Sequence, residues 1–276
     1  MLTPDKVGEP HGRRRPLGTH QALTLPSVWI MMLLLTAILL LFQFQSFVFN
    51  QELVANLRSD GTSEVDGLLI VADTSVLTDY VAYIFNPAIL TPLLGAVIAG
   101  AEFRTGQFGM SVLAVPDRGR LLAGKLTAVA VQVLILGVIW IGVAKALLHL
   151  AVRGSDALVD DVWSPSFLLA DSRVLLFMVA TTVFIYALTL IARKTLVGVI
   201  VTVLLVMVTM TQVLALVSPA VDALTPFSAA RNLVLAGSDV AVPLTGSPAW
   251  GAAVLLGWAV VACVVAVAGV LSRDAK

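Results

Sequence analysis

The chain has 276 residues, 59% of them hydrophobic and 12% charged, with a formal net charge of zero. Soluble domains carry about 25% charged residues, so a soluble globule is excluded, and at a mean hydropathy of +0.98 lipid must solvate much of the surface. The lone cysteine, Cys263, excludes an intrachain disulfide framework.

Residues 1–27 read as a cytoplasmic N-terminal tail. Its proline content leaves only Gly18 to Leu25 suited to a short interfacial helix. Residues 28–276 then form one membrane domain of six apolar runs, at about 28–47, 80–101, 126–148, 174–191, 196–217 and 250–271. Each is near the ~20 residues a helix needs to cross the hydrocarbon, and helices are the expected form because lipid offers no partners to backbone groups. The predicted fold class is therefore an all-α integral membrane protein of six transmembrane helices. The second run contains Asn86, Pro87 and Pro92, which predict a kink or an unwound outer end.

Basic residues set the orientation. With the N-terminus inside, Arg13, Arg14, Arg15, Arg104, Arg118, Arg120, Lys125, Arg193, Lys194 and Arg273 all fall on the cytoplasmic side, and both termini are cytoplasmic. The acids mirror this: Asp60, Glu64, Asp73, Asp79, Asp156, Asp171 and Asp222 fall in outer segments. The outer loop between the fifth and sixth spans is half apolar and broken by Pro219, Pro226 and Gly237. It reads as a short helix that dips into the membrane interface.

Catalytic signatures are absent. "GRLLAGKL" at Gly119–Leu126 is close to a phosphate-binding loop, but Leu126 stands where the motif needs a hydroxyl, and the following segment opens a membrane span. His11, His20 and His149 are too scattered for a metal site. Lys145 and His149 lie one turn apart near the outer end of the third span, and the expected behaviour is snorkelling to the interface. On the fifth span, Thr195, Thr202, Thr209 and Gln212 share one helical stripe, which suits a substrate path or a helix–helix seam, including a seam with a second chain.

The charged stretch "GAEFRTGQFGMSVLAVPDRGRLLAGKLT", Gly100–Thr127, separates the second and third spans. Glu102 ends one span, Thr105 to Ala114 can form a short helix, Pro116 stops it, and Lys125 opens the next span. Glu102, Phe103, Arg104, Gly106, Pro116, Arg118, Arg120 and Lys125 match in place the pattern of the first cytoplasmic loop of ABC transporter permeases of the type-2 exporter class, and the stretch resembles that loop.

The resemblance implies a multi-pass permease of the cytoplasmic membrane with no catalytic residues, no cofactor and no nucleotide site of its own. A short coupling helix between helices 2 and 3, including Phe108, would dock on a cytoplasmic ABC ATPase subunit, present in two copies, which binds ATP and Mg. A second permease chain, identical or homologous, completes the assembly; the first and fifth spans meet near the substrate path, and nucleic acid plays no part. Two other classes stand beside this reading: a secondary transporter driven by an ion gradient, and a membrane immunity or accessory protein that binds a peptide or lipid. The missing mid-span acids weigh against the former.

Overall fold

The computed structural model describes residues 26–65, 67–106, 118–238 and 242–272. The N-terminal tail, with its expected interfacial helix, and residues 107–117, which hold Phe108, Pro116 and most of the expected coupling helix, lie outside the described residues.

The chain is a helical bundle. Among the described residues, five helical units are long and apolar enough to cross a membrane. They are α1 (Pro26–Ala55), a broken unit of α2 (Ala72–Ala88) and α3 (Pro92–Arg104), α4 (Arg118–Val152), α6 (Pro165–Ala192) and α11 (Pro248–Ser272). The expected fifth span is shorter than predicted: α7 (Thr195–Thr211) ends where Gln212 adopts a left-handed conformation, φ 54°, and α8 (Val213–Val217) follows. Short helices α5 (Asp156–Asp161), α9 (Pro219–Asp222) and α10 (Pro226–Val234) fill the connections.

The structure corrects the all-helical expectation at one place. Thr62–Val65 (β1) pairs antiparallel with Leu68–Val71 (β2), with Thr62 opposite Val71 and Val65 opposite Leu68. Asp66 and Gly67 therefore separate the paired ends. An Asp-Gly pair is the residue choice that a two-residue hairpin loop demands, since its backbone needs φ > 0, and Gly67 has φ 76°.

The proline-rich second unit breaks at Ile89–Thr91, near its middle rather than at its outer end. Each proline removes a donor from the carbonyl four residues earlier. Pro92 orphans Ala88 O, which accepts from Thr91 N at 2.9 Å and Thr91 Oγ1 at 2.7 Å. Pro87 orphans Tyr83 O, which accepts from Gln43 Nε2 of α1 at 3.0 Å. Lipid could satisfy neither carbonyl, and the partner of Tyr83 O is a polar side chain on α1.

Close helix packing is carried by small residues. A Cβ at Gly95 would overlap Thr182 O on α6, one at Gly100 would overlap Thr195 on α7, and one at Gly198 would overlap Thr189 Oγ1. These contacts draw α3, α6 and α7 into one block. Gly251 does the same for α11 against Ala229 of α10. All nine residues of α10 are buried, so the short helix expected in this loop is packed into the protein.

Helix order places residues 26, 104, 118, 192, 195 and 272 at one end of the bundle. That end carries Arg104, Arg118, Arg120, Lys125, Arg193 and Lys194, and its sole acid among the described residues is Glu102. The opposite end holds the acidic loops and the hairpin.

Candidate functional site at the base of the charged loop

Helix α3 ends in an αL cap. Thr105 N donates to Ala101 O at 3.1 Å, and Gly106, at φ 70°, donates its N–H to Phe103 O at 3.2 Å. A left-handed residue after a helix C-terminus favours glycine, which gives Gly106 of the sequence motif a structural reason. Phe103 packs against the core, and Arg104 is exposed. Arg118 opens α4 and Arg120, two residues later, is exposed.

Glu102 is not on the surface. It is 7% exposed, and its Oε2 pairs with Lys125 Nζ of α4 at 2.5 Å. Its Oε1 accepts from the buried Tyr186 hydroxyl of α6 at 3.1 Å. One carboxylate thus ties α3, α4 and α6 at the point where the charged loop leaves and re-enters the bundle. A buried acid and base so placed satisfy one another's charge. Arg104 and Arg120 are exposed beside this tie.

The threonine stripe is an internal seam. Thr202 is fully buried and its hydroxyl bonds to Gly198 O of its own helix at 2.8 Å. Thr209 is buried beside Ser228 of α10, with the hydroxyl oxygens 3.4 Å apart. Neither residue is left on a face that a second chain could reach, because α3 and α10 of the same chain cover that side. Thr209 and Gln212 also line a cavity of about 160 Å³ with Asn86 of α2 and Arg231 of α10. Thr195 lies at the other end, beside Gly100.

Three buried polar clusters escape a reading by spans and loops. In the first, Asp79 of α2 accepts from Ser46 Oγ and, at 2.7 Å, from Asn50 Nδ2, both on α1. In the second, Asp171 of α6 pairs with Lys145 Nζ of α4 at 2.7 Å and accepts from the Tyr80 hydroxyl at 2.5 Å. Lys145 is 4% exposed, so it is paired inside the bundle rather than snorkelling outward. His149 Nδ1, one turn away, is buried without a partner among the described residues. In the third, the fully buried Asp222 accepts from Arg231 Nη2 at 2.6 Å, Ser228 Oγ at 2.7 Å and Thr245 Oγ1 at 2.7 Å.

Asp79, Asp171 and Asp222 were expected in outer loops. The helices instead run past the apolar windows and take these acids inside, because each carboxylate finds donors on a neighbouring helix. Alternation of polar and apolar residues could not show this. A signal did exist: Ser46 and Asn50 are one turn apart toward the end of the first helix, as donors to a shared partner would be.

These features define a multi-pass helical membrane protein whose bundle is locked by buried polar pairs. No protein-family model and no curated protein matches this chain.

Proposed function

We propose that the chain is the membrane-spanning permease subunit of an ATP-driven exporter of the ABC type. It moves a substrate across the cytoplasmic membrane and couples to a separate ATPase. On this reading α7 and α8 together make the sixth crossing, and both termini are cytoplasmic. Two ATPase subunits supply the ATP and Mg sites, and a second permease chain completes the path.

The observation that carries the reading is the Glu102–Lys125–Tyr186 tie. A push on the loop is delivered to the ends of α3 and α4, and the shared carboxylate passes it to α6, which packs against α3, α7 and α11. Arg104 and Arg120 offer the outward cations for docking. The cavity at Thr209, Gln212, Asn86 and Arg231 suits a stretch of substrate path, being mostly apolar with convergent polar groups.

The test is reconstitution in liposomes with ABC ATPase subunits from the same genome. The expected result is a stable complex whose vanadate-sensitive ATP hydrolysis drives transport, and an Arg104→Glu chain that still inserts and still folds but loses coupling. ATP hydrolysis by the pure chain alone refutes the assignment, as does wild-type coupling in Arg104→Glu.

A second reading, a gradient-driven transporter, is favoured by one observation. Asp79 is a buried carboxylate with no cation beside it among the described residues, and its neighbour Tyr80 bonds Asp171 of the Lys145–Asp171 pair. Intramembrane ionisable residues of this kind mark ion and proton pathways. ATP-independent flux that follows a pH gradient and fails in Asp79→Asn selects this reading over the first.

A further inference from the structure

The basic end of the bundle carries a groove whose apolar wall neither reading uses, although its Arg104 is also a docking cation in the exporter reading. It has a volume of about 290 Å³ and lies between the start of α1, the end of α3 and the start of α7. Its polarity is graded along its length. Ser27, Thr195 and Arg104 stand at the helix ends, and Ile30, Leu34 and Val97 lie deeper, with Gly100 in its wall. Ser27 to Leu34 is seven residues of helix, so the apolar part runs about 10 Å into the bundle.

We infer that this groove holds an anionic phospholipid of the surrounding bilayer, with its phosphate on Arg104 and the upper part of one acyl chain along Ile30, Leu34 and Val97. Charge selects the headgroup. The only acid at this end among the described residues, Glu102, is consumed by Lys125, whereas Arg104 is exposed and makes no hydrogen bond or ion pair among the described residues. Arg193 and Lys194, both exposed, adjoin Thr195 at the mouth. The first turn of α7 starts there as well, and Lys194, at its N-cap, contributes no side-chain hydrogen bond, so free N–H groups and the positive end of that helix add to the attraction. Basic pockets between membrane helices take anionic headgroups by this chemistry. A zwitterionic headgroup brings its own cation to the same place and loses the advantage.

Shape selects the chain. A side chain at position 100 would overlap Thr195 and move α7, so glycine keeps the wall of the groove low. Leu34 is 54% exposed and lines it from the α1 side, where lipid contact is continuous with the groove.

The assignment is tested on the full chain, purified without any ATPase, in nanodiscs of equal parts dioleoyl phosphatidylglycerol and dioleoyl phosphatidylcholine. Native mass spectrometry counts the lipids retained on release. Wild type is expected to retain phosphatidylglycerol over phosphatidylcholine by about five-fold, the size of one basic residue's attraction for an anionic surface. Arg104→Gln brings the ratio to near one, Arg104→Lys keeps it, and Arg153→Gln, at the opposite end, leaves it unchanged. Leu34→Trp, which fills the groove from an exposed position, abolishes retention of both lipids. A wild-type ratio in Arg104→Gln, or equal retention of the two lipids by wild type, overturns the headgroup assignment. Retention that survives Leu34→Trp overturns the groove. The measurement uses no nucleotide, so its failure is distinguishable from failure of the exporter reading.

Discussion

Loss of Lys125 tests the tie at the loop base most directly. The Glu102 and Lys125 side chains are 10% and 12% exposed, so the pair is largely screened from water. Removing one member of a buried ion pair costs about 3–5 kcal/mol, because the other charge is stranded. Lys125→Met keeps the length and apolar stem of the side chain and removes only the ammonium. For a chain of this size 1 kcal/mol moves the melting temperature by about 2–4 °C, so a fall of roughly 6–20 °C is expected in detergent by scanning fluorimetry. Glu102→Leu alone should fall as well, since it strands Lys125 and takes the acceptor from Tyr186. The double variant Glu102→Leu with Lys125→Met should recover most of the loss, because replacing both members of a buried pair by apolar groups is close to neutral. The coupling read from the cycle should therefore be at least as large as one single loss, about 3 kcal/mol or more. Two single variants within about 2 °C of wild type, with no coupling, would refute the claim that this pair joins α3, α4 and α6. Charge reversal at Glu102 is a poorer test of mechanism than Arg104→Glu, because it sets two cations together in a buried place.

Three further outcomes follow from particular contacts. Gln43→Leu leaves Tyr83 O without a donor and should cost about 1–3 kcal/mol; Pro87→Ala, which restores a backbone N–H, should rescue it, and thermal melts of the four chains check this. Gly198→Ala drives a methyl into Thr189 Oγ1 and toward Ala96, and should destabilise by about 1–3 kcal/mol, with partial recovery in Thr189→Ala measured by the same melts. In the outer hairpin, the Thr62 hydroxyl and then its backbone N–H donate to the Asp60 carboxylate and hold its pKa below the ordinary carboxylate value. Because that pKa is depressed, the contribution is present above the unfolded value and is lost as pH falls through the lowered one. An NMR titration should place Asp60 below the ordinary aspartate value, and Thr62→Val, which removes the hydroxyl but keeps the N–H, should raise it part of the way back.

Much of this protein is legible in its sequence because lipid punishes every unsatisfied backbone group. Runs such as Val28–Phe47 and Val174–Ile191 can only be helices, and Asn86, Pro87 and Pro92 announce a break before any packing is known. Gly106 and Gly67 likewise carry local demands on φ that no distant contact has to supply. What sequence could not settle is where the long-range partners lie. Glu102 looks like a surface charge until Lys125 and Tyr186 close on it from two other helices. Asp79, Asp171 and Asp222 read as loop acids until Ser46 and Asn50, Lys145 and Tyr80, and Arg231 meet them inside the bundle. The threonine stripe offers two faces of equal chemistry, and only the approach of Gly198 to α6 and of α10 to Thr209 turns it inward. Backbone satisfaction is a local condition and is written residue by residue. Charge satisfaction here is a condition on pairs separated by 9 to 29 residues and more, and it was decided only when the helices packed.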